Sequence, residues 1–206
     1  MRYLFILLVG SQLFGQRYET QSYTALGILN SVEIRYYPAS IQVKTTSQIG
    51  NNNNFSKLFK YISKGNQSQA KIAMTTPVYT QTKDGQQQMS FVLPKKYMEN
   101  PPPTPTAKDV LVKKVDGGYF AALRFGGYNS VKKTNYHENK LKNTLYQAGI
   151  NIQSELFVLG YNSPFALINR RNEVMYAIDS LSLPDSLLQK MVSRKEFHAK
   201  NDLELK

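Results

Sequence analysis

The sequence predicts an α+β fold built from two pseudo-repeated halves, each with the element order ββαββ. Three observations predict it: apolar and polar residues that alternate with the period of a β-strand, two stretches with helical spacing, and a proline-rich tract between the halves. The halves span about residues 30–95 and 108–179. The 206 residues suffice for one domain with a sizeable core, which we assign to residues 16–180, followed by a short helix and polar tail over 181–206.

The first half opens with two strands. In VEIRYYPASIQVKTTS, residues 32–47, apolar and polar residues alternate on both sides of Pro38, which predicts a β-hairpin with its turn at the proline. A short amphipathic helix that ends at Gly65 is predicted next, because apolar side chains recur at helical spacing at Phe55, Leu58, Phe59 and Ile62. Strands in KIAMTTPV, residues 71–78, and MSFVLP, residues 89–94, complete the half.

The second half follows the tract NPPPTPT, residues 100–106, which cannot form a helix and is expected to be extended. DVLVKKV and YFAALRF are predicted strands, and the Asp-Gly-Gly between them, residues 116–118, predicts a hairpin turn. A longer helix is predicted over about residues 130–148. Two strands follow, one from about Phe157 and one in EVMYAID, residues 173–179.

A proline interrupts the third strand of each half. Pro77 and Pro164 are 87 positions apart, whereas Val32 and Val110 are 78 apart, and the difference falls at the longer second helix. Since proline cannot donate to a sheet ladder, we predict that the two prolines occupy equivalent sheet edges, each ending a strand. Two such halves can pack as a pseudo-symmetric barrel or as an open sheet with both helices on one face.

The first residues are typical of an export signal. MRYLFILLVGSQLFG, residues 1–15, places Arg2 before a seven-residue apolar run and then small or polar residues. The run is too short to span a bilayer; the alternative interpretation is a buried strand. We therefore expect an exported protein that is periplasmic, secreted or lumenal. The absence of cysteine excludes disulfides, thiolate-ligated haem and cysteine-linked lipid anchors.

The formal net charge of +12 favours anionic ligands or surfaces, such as phosphates, acidic polymers, anionic lipids or carboxylates. The basic residues form isolated pairs and never a run longer than a pair, so nucleic acid is not an expected partner. We expect a monomer. The sequence contains none of the HExxH, GxSxG, GxGxxG or P-loop motifs, so we expect a binding protein and not an enzyme.

Five segments, taken in order, resemble the SOUL or haem-binding protein family: VEIRYYP, KIAMTTPV, FVLP followed by PPPTP, RFGGY at 124–128 and GYNSPFALINRRNEV at 160–174. The resemblance covers about residues 30–178. It implies a twisted, barrel-like antiparallel β structure of two related halves, flanked by two helices. The chain departs from the family pattern at Met175, where tryptophan is common.

The resemblance implies non-covalent binding of haem or a related anionic tetrapyrrole in a shallow apolar groove beside the first helix, with cationic side chains near the propionates. We expect the groove residues to be Phe55, Leu58, Phe59, Lys60, Ile62, Phe165, Leu167 and Ile168. Apolar stripes of this kind belong mostly to the core, and the default role of Lys60, on the polar face of the helix, is solvation. Two other functions stay open: an enzyme acting on a tetrapyrrole or amphiphile, and a basic module that docks to the cell envelope.

No protein ligand to the haem iron is expected. Some relatives have a histidine in the first hairpin, but this chain has Tyr36 there, which is interpreted as a packing residue. His137 shares the apolar face of the second helix and lacks partners at metal-ligand spacing, so it is interpreted as a core histidine. His198 lies in the polar tail. Arg170 and Arg171, near Glu173, are interpreted as fixing a turn, with an anion site as the alternative.

Overall fold

The computed structural model describes residues 18–51, 53–163, 166 and 168–187. The signal-like segment and the polar tail lie outside these residues. The elements, in chain order, are β1 (Glu19–Thr20), β2 (Thr24–Leu29), β3 (Val32–Tyr37), β4 (Ser40–Gln48), α1 (Asn54–Ile62), β5 (Thr75–Thr76), β6 (Val78–Lys83), β7 (Gln86–Val92), β8 (Val110–Val115), β9 (Gly118–Gly126), α2 (Val131–Gln147), β10 (Phe157–Gly160) and β11 (Arg171–Ala177).

The α+β architecture with two ββαββ halves is confirmed: β3-β4-α1-β6-β7 and β8-β9-α2-β10-β11. Their strands, with β2, form one antiparallel sheet in the order β2-β3-β9-β11-β10-β6-β7-β4-β8. The sequence patterns did not predict β2, which forms a hairpin with β3 and contains a bulge between Ala25 and Gly27. The two-residue strands β1 and β5 pair in parallel outside this sheet.

The predicted hairpins at Pro38 and at residues 116–118 are both wrong. β3 pairs with β9 and β4 pairs with β8, and the register runs unbroken through the connections: Tyr37 lies opposite Gly118, and Ser40 lies opposite Val115. Two long strands therefore bend together at their middles. On one side of the bend, β9 also pairs with β11; on the other side, β4 also pairs with β7. The bent pair therefore contributes strands near both ends of the sheet and curls it.

Glycine is required at the inside of this bend. A Cβ atom on Gly117 would lie 2.7 Å from the carbonyl oxygen of Tyr37 and 3.1 Å from the backbone nitrogen of Ala39. The first contact is too short for a Cβ atom and the second is tight, so a side chain at this position would force the two backbones apart. The glycine that suggested a reversal of the chain instead permits a close crossing of two strands.

The two halves meet at the antiparallel pair of β6 and β10, where Thr80 lies opposite Val158. Pro77 directly precedes β6, whereas β10 ends at Gly160. Pro164, which lies outside the described residues, follows the end of β10 by four positions. Pro77 thus follows the short strand β5 as well as preceding β6, whereas the equivalence of the two prolines stays a prediction because Pro164 is not described.

Both helices lie on one face of the sheet. α1 packs against β4, β7 and β8 and buries Leu58, Tyr61 and Ile62 in one core cluster, and α2 packs against β9 and β11 and buries Leu141 and Leu145 in another. The side chain of Ser130 accepts a hydrogen bond from the backbone nitrogen of Lys133 and caps α2. Within the described ranges, no helix is long and apolar enough to cross a membrane.

A third core cluster lies on the opposite face of the sheet and consists of strand residues: Tyr37, Tyr79, Val92, Ala122, Leu159 and Met175. No helix covers this face among the described elements, and partly buried aromatic residues pack against the cluster there: Tyr23, Phe120, Phe157 and Tyr161. Met175, at the position where relatives commonly have tryptophan, is fully buried here. The sheet thus has a buried layer on each face.

Candidate functional site

The outer surface of α1 presents a stacked aromatic pair. The rings of Phe55 and Phe59 lie 5.9 Å apart with an interplanar angle of 12°, and Phe55 also packs edge-on against Phe91 of β7. Phe59 is 49% exposed, while Phe55 is half-buried. A large apolar ring therefore stands at the surface on a rigid support, which is the kind of group that contacts a flat apolar ligand.

Two of the expected groove residues belong to the core instead. Leu58 is 0% exposed and Ile62 is 3% exposed, and both pack into the cluster beneath α1. The i, i+3, i+4 spacing that singled them out marks the face of the helix that turns toward the sheet. They support Phe55 and Phe59 from below but offer no surface to a ligand.

Cationic side chains flank the aromatic pair. Lys57 forms a 2.6 Å ion pair with Asp109, and its hydrogen bond holds the pKa of the Asp109 carboxyl below its ordinary value. Lys60, next to Phe59, is exposed, and no ion pair to it occurs among the described residues. Of these two cations, Lys60 is the one whose charge is not already paired within the protein.

The second predicted segment of the groove is described only in part. Phe165 and Leu167 lie outside the described residues. Ile168 lies in the loop between β10 and β11 and is 78% exposed, so it offers apolar surface but no enclosed contact. Of the predicted residues, the structure brings Phe55, Phe59 and Lys60 together at one surface.

His137 makes contacts typical of a packing residue. Its Nδ1–H donates a 2.8 Å hydrogen bond to the carbonyl oxygen of Lys133, one turn earlier in α2, and its ring stacks on Phe125 at 4.4 Å. It lies on the helix that does not carry the exposed phenylalanine. In the part of the chain that the structure describes, no three His, Cys, Asp or Glu side chains are grouped so that they could hold a metal ion.

Tyr36, at the position where some relatives have histidine, is half-buried in β3. Its ring packs against Tyr119 at 5.2 Å and against the core cluster beneath α2. These contacts fit the packing role expected from its place in an alternating strand.

A buried ionic network, which the sequence patterns did not predict, occupies the face of the sheet opposite the helices. Arg35 of β3 is 2% exposed and Glu173 of β11 is fully buried. The guanidinium NH1 and NH2 atoms of Arg35 donate hydrogen bonds of 2.6 and 3.1 Å to the two oxygens of Glu173. The Nε of Arg35 donates a further 2.6 Å bond to Glu33, and its guanidinium stacks on Tyr23 at 4.2 Å.

Glu173 is the centre of this network. Arg171 donates hydrogen bonds of 3.1 and 2.7 Å to its Oε1 atom, and the Tyr161 hydroxyl donates one of 2.9 Å to Oε2. Burial alone would raise the pKa of Glu173, but the hydrogen bonds and charges of Arg35 and Arg171 outweigh it and hold the pKa below its ordinary value. The carboxylate is therefore ionised and fully used within the protein.

The arginine pair at the start of β11 has a structural role. Arg171 pairs with Glu173, and the guanidinium of Arg170 donates a 2.7 Å hydrogen bond to the carbonyl oxygen of Ala166 in the preceding loop. These contacts support the interpretation that the pair fixes a turn, because both guanidinium groups bind protein acceptors.

A cavity of about 580 Å³ lies between α2 and the centre of the sheet, away from the surface of α1. Its lining comes from β6, β7, β10, β11, α2 and the residues that precede α2 and β10, and it includes Thr80 and Val158, where the two halves meet. None of these lining residues was predicted as a site residue. Because they come from both halves, no local motif marks the cavity.

Comparisons with known proteins agree on one family. A model of the family described as SOUL heme-binding protein matches residues 18–177. The chain is 30% identical over 161 residues to heme-binding protein 2 of Mus musculus, covering 70% of this chain and 76% of the mouse protein. It is also 30% identical to heme-binding protein 2 of Homo sapiens over 156 residues, with the same coverage. These relatives are named for binding, not for a catalysed reaction.

Solved structures share the fold at low sequence identity. The C-terminal domain of EcmrR superposes with a TM-score of 0.53 at 8% identity, covering 76% of this chain and 98% of that domain. A hydrolase from Listeria innocua superposes with a TM-score of 0.52 at 8% identity, covering 74% of this chain and 94% of the other. At such identity the likeness concerns the fold alone.

Proposed function

Because the chain belongs to the SOUL heme-binding protein family, we propose that it binds haem or a related anionic tetrapyrrole, non-covalently and without a protein ligand to the iron. Support comes from the family match over residues 18–177 and from relatives named for haem binding. The observation that carries the proposal is the exposed face of Phe59, stacked on Phe55 and flanked by Lys60.

The residues present fit such a ligand. A tetrapyrrole has a flat apolar face and carboxylates at one edge, so Phe59 would contact the ring face while the ammonium of Lys60, on its flexible stem, would pair with a propionate. A shallow surface contact buries only part of the ligand, and we therefore expect micromolar affinity. Haem bound in this way keeps its own iron chemistry, to which the residues of α1 add no ligating atom.

The charge of the cavity beneath α2 argues against it as the tetrapyrrole site. Among the described residues, its lining carries the carboxylates of Glu138 and Glu155 and one ammonium, that of Lys142. Two carboxylates would repel the propionates of the ligand, whereas the α1 surface offers Lys60. The electrostatics therefore favour α1.

Haemin titration into the chain without residues 1–15, followed at the Soret band, tests the proposal. Replacing Phe59→Ser should weaken binding about tenfold, since it removes the stacking surface, and Lys60→Glu should weaken it further by repelling the propionates. Matched controls on the exposed side of α2 are Tyr146→Ser and Lys140→Glu, which should leave the affinity unchanged. The absence of a saturable Soret change would reject the function, while binding that is indifferent to Phe59→Ser would reject the location.

We also propose that the protein is exported, acts as a monomer and catalyses no reaction. The apolar run after Arg2 supports export. The absence of catalytic motifs from the sequence and the names of the relatives support a role in binding. Mass spectrometry of the protein recovered from outside the cytoplasm would identify the mature N-terminus; an intact Met1 in that protein would reject cleavage.

A further inference from the structure

The cavity beneath α2 differs from the rest of this basic protein in charge. The chain carries a formal net charge of +12, but the lining contains two carboxylates and, in the part of the chain that the structure describes, one basic residue. The cavity therefore has a local charge of the opposite sign to that of the whole molecule. Its volume of about 580 Å³ lies within the range of small-molecule sites.

Glu138 and Glu155 both line the cavity, and the charges of both act on the hydroxyl of Tyr176. The Tyr176 hydroxyl donates a 2.6 Å hydrogen bond to Glu138, and burial raises the pKa of this phenol while both carboxylates raise it further. Burial also acts to raise the pKa of Glu138, but hydrogen bonds from Lys142 and Tyr176 outweigh it and hold the value below the ordinary one. Glu138 is therefore anionic.

Lys142 occupies the position that an external ammonium would take. Its Nζ lies 2.7 Å from Glu138 Oε1, one helical turn away, but its side chain is 50% exposed. Ion pairs at this i, i+4 helical spacing contribute only slightly to stability, and the half-exposed, flexible lysine stem can leave the cavity without disturbing the fold. A competing cation would thus displace Lys142 at small cost.

The remaining lining defines the chemical class of the ligand. Most of it consists of hydroxyl and amide side chains that accept hydrogen bonds: Thr80, Thr82, Gln87, Asn129, Thr134 and Asn135. Because hydroxyl and amide groups both donate and accept hydrogen bonds, they suit a hydrophilic molecule and not an apolar ring system, and the two carboxylates favour a cationic one. We propose that the cavity binds a small hydrophilic organic amine, with one ammonium between Glu138 and Glu155 in place of Lys142.

Calorimetric titration of the full chain with spermidine, at low ionic strength, tests this proposal. The protein as a whole repels a polycation, so saturable one-to-one binding would report a local anionic site. Glu138→Gln and Glu155→Gln should each weaken binding at least fivefold. Lys142→Ala should strengthen it about threefold, because it removes the competing ammonium.

The control is Lys140→Ala, which makes the same charge change on the exposed side of α2 and should shift the affinity less than twofold. Thermal unfolding by circular dichroism checks that each variant is folded. If loss of the Tyr176 contact unfolds the Glu138 variant, the exposed Glu155→Gln variant tests the proposal instead. No saturable heat up to about 1 mM spermidine would overturn the proposal. Equal strengthening by Lys140→Ala and Lys142→Ala would do so as well, since it would show only general charge repulsion. Neither result depends on the haemin titration.

Discussion

Replacing Glu173→Gln should remove a large part of the stability of the fold. The substitution keeps the shape of the side chain but leaves the guanidinium of Arg35, 2% exposed, without its main counter-charge. Removing one partner of a buried ion pair costs about 3–5 kcal/mol. Because Glu33 lies 2.6 Å from Arg35 and compensates part of its charge, we expect the lower end, about 3 kcal/mol, which corresponds to a fall in Tm of about 6–12 °C.

Urea unfolding followed by circular dichroism at pH 7 measures this loss, with Glu99→Gln at an exposed position as the matched control. The folded-state pKa of Glu173 lies below the ordinary value of 4.5. The stabilisation is therefore fully present above pH 4.5 and is lost as the pH falls through the lower folded-state pKa. The wild type and the variant should thus differ by a constant amount from pH 7 to about pH 5 and then converge on further acidification.

A loss smaller than about 1 kcal/mol at pH 7 would refute the view that Glu173 is the necessary counter-charge of Arg35. A stability difference that persists undiminished at pH 3 would refute the sign of the pKa shift. The control should change stability by less than about 0.5 kcal/mol.

Two further substitutions test the site and the bend. His137→Ala should leave the haemin affinity within about threefold, or about 0.7 kcal/mol, because His137 lies on α2, where it packs on Phe125, and not beside α1. A tenfold loss in the Soret titration, with the circular dichroism spectrum intact, would show that the proposed site is on the wrong helix. Gly117→Ala should destabilise the protein by about 1–3 kcal/mol in urea unfolding, because its Cβ would lie 2.7 Å from a carbonyl oxygen. Gly160→Ala is the control, since a Cβ there meets no atom within 4 Å; an equal cost at both positions would argue against a specific clash.

The repeated order of strands and helices could be predicted because each element carries its own period. Residues at helical spacing located α1 and α2 to within a few positions. Pairing between strands is a different matter. Pro38 and the glycines at 117 and 118 have the chemistry of a reversing turn, yet the turn residues of one segment lie opposite those of the other and both bend without reversing. Local patterns do not encode that long-range register.

The site was predicted only in part for a related reason. Arg35 shares one side of its strand with Glu33, a polar side that would be exposed in a sheet with one solvated face, and Glu173 lies on the same side of its own strand as Met175 and Ala177. Here the sheet curls over the polar side as well, so charged residues that the alternation would place at the surface form a buried network. On α1 the apolar spacing identified the core-facing Leu58 and Ile62 together with the surface residue Phe59, because spacing alone does not say how far a flanking side chain emerges.

The bent pair of long strands has a consequence for how the chain folds. The first strand of each half pairs with a strand of the other half: β3 pairs with β9, and β8 pairs with β4. This is the geometry of a strand-exchanged dimer within one polypeptide. Neither half can complete its hydrogen-bonded ladder until residues about 80 positions apart have met, so both ladders depend on loop closure across the proline tract. The two halves therefore gain and lose their structure as a single cooperative unit.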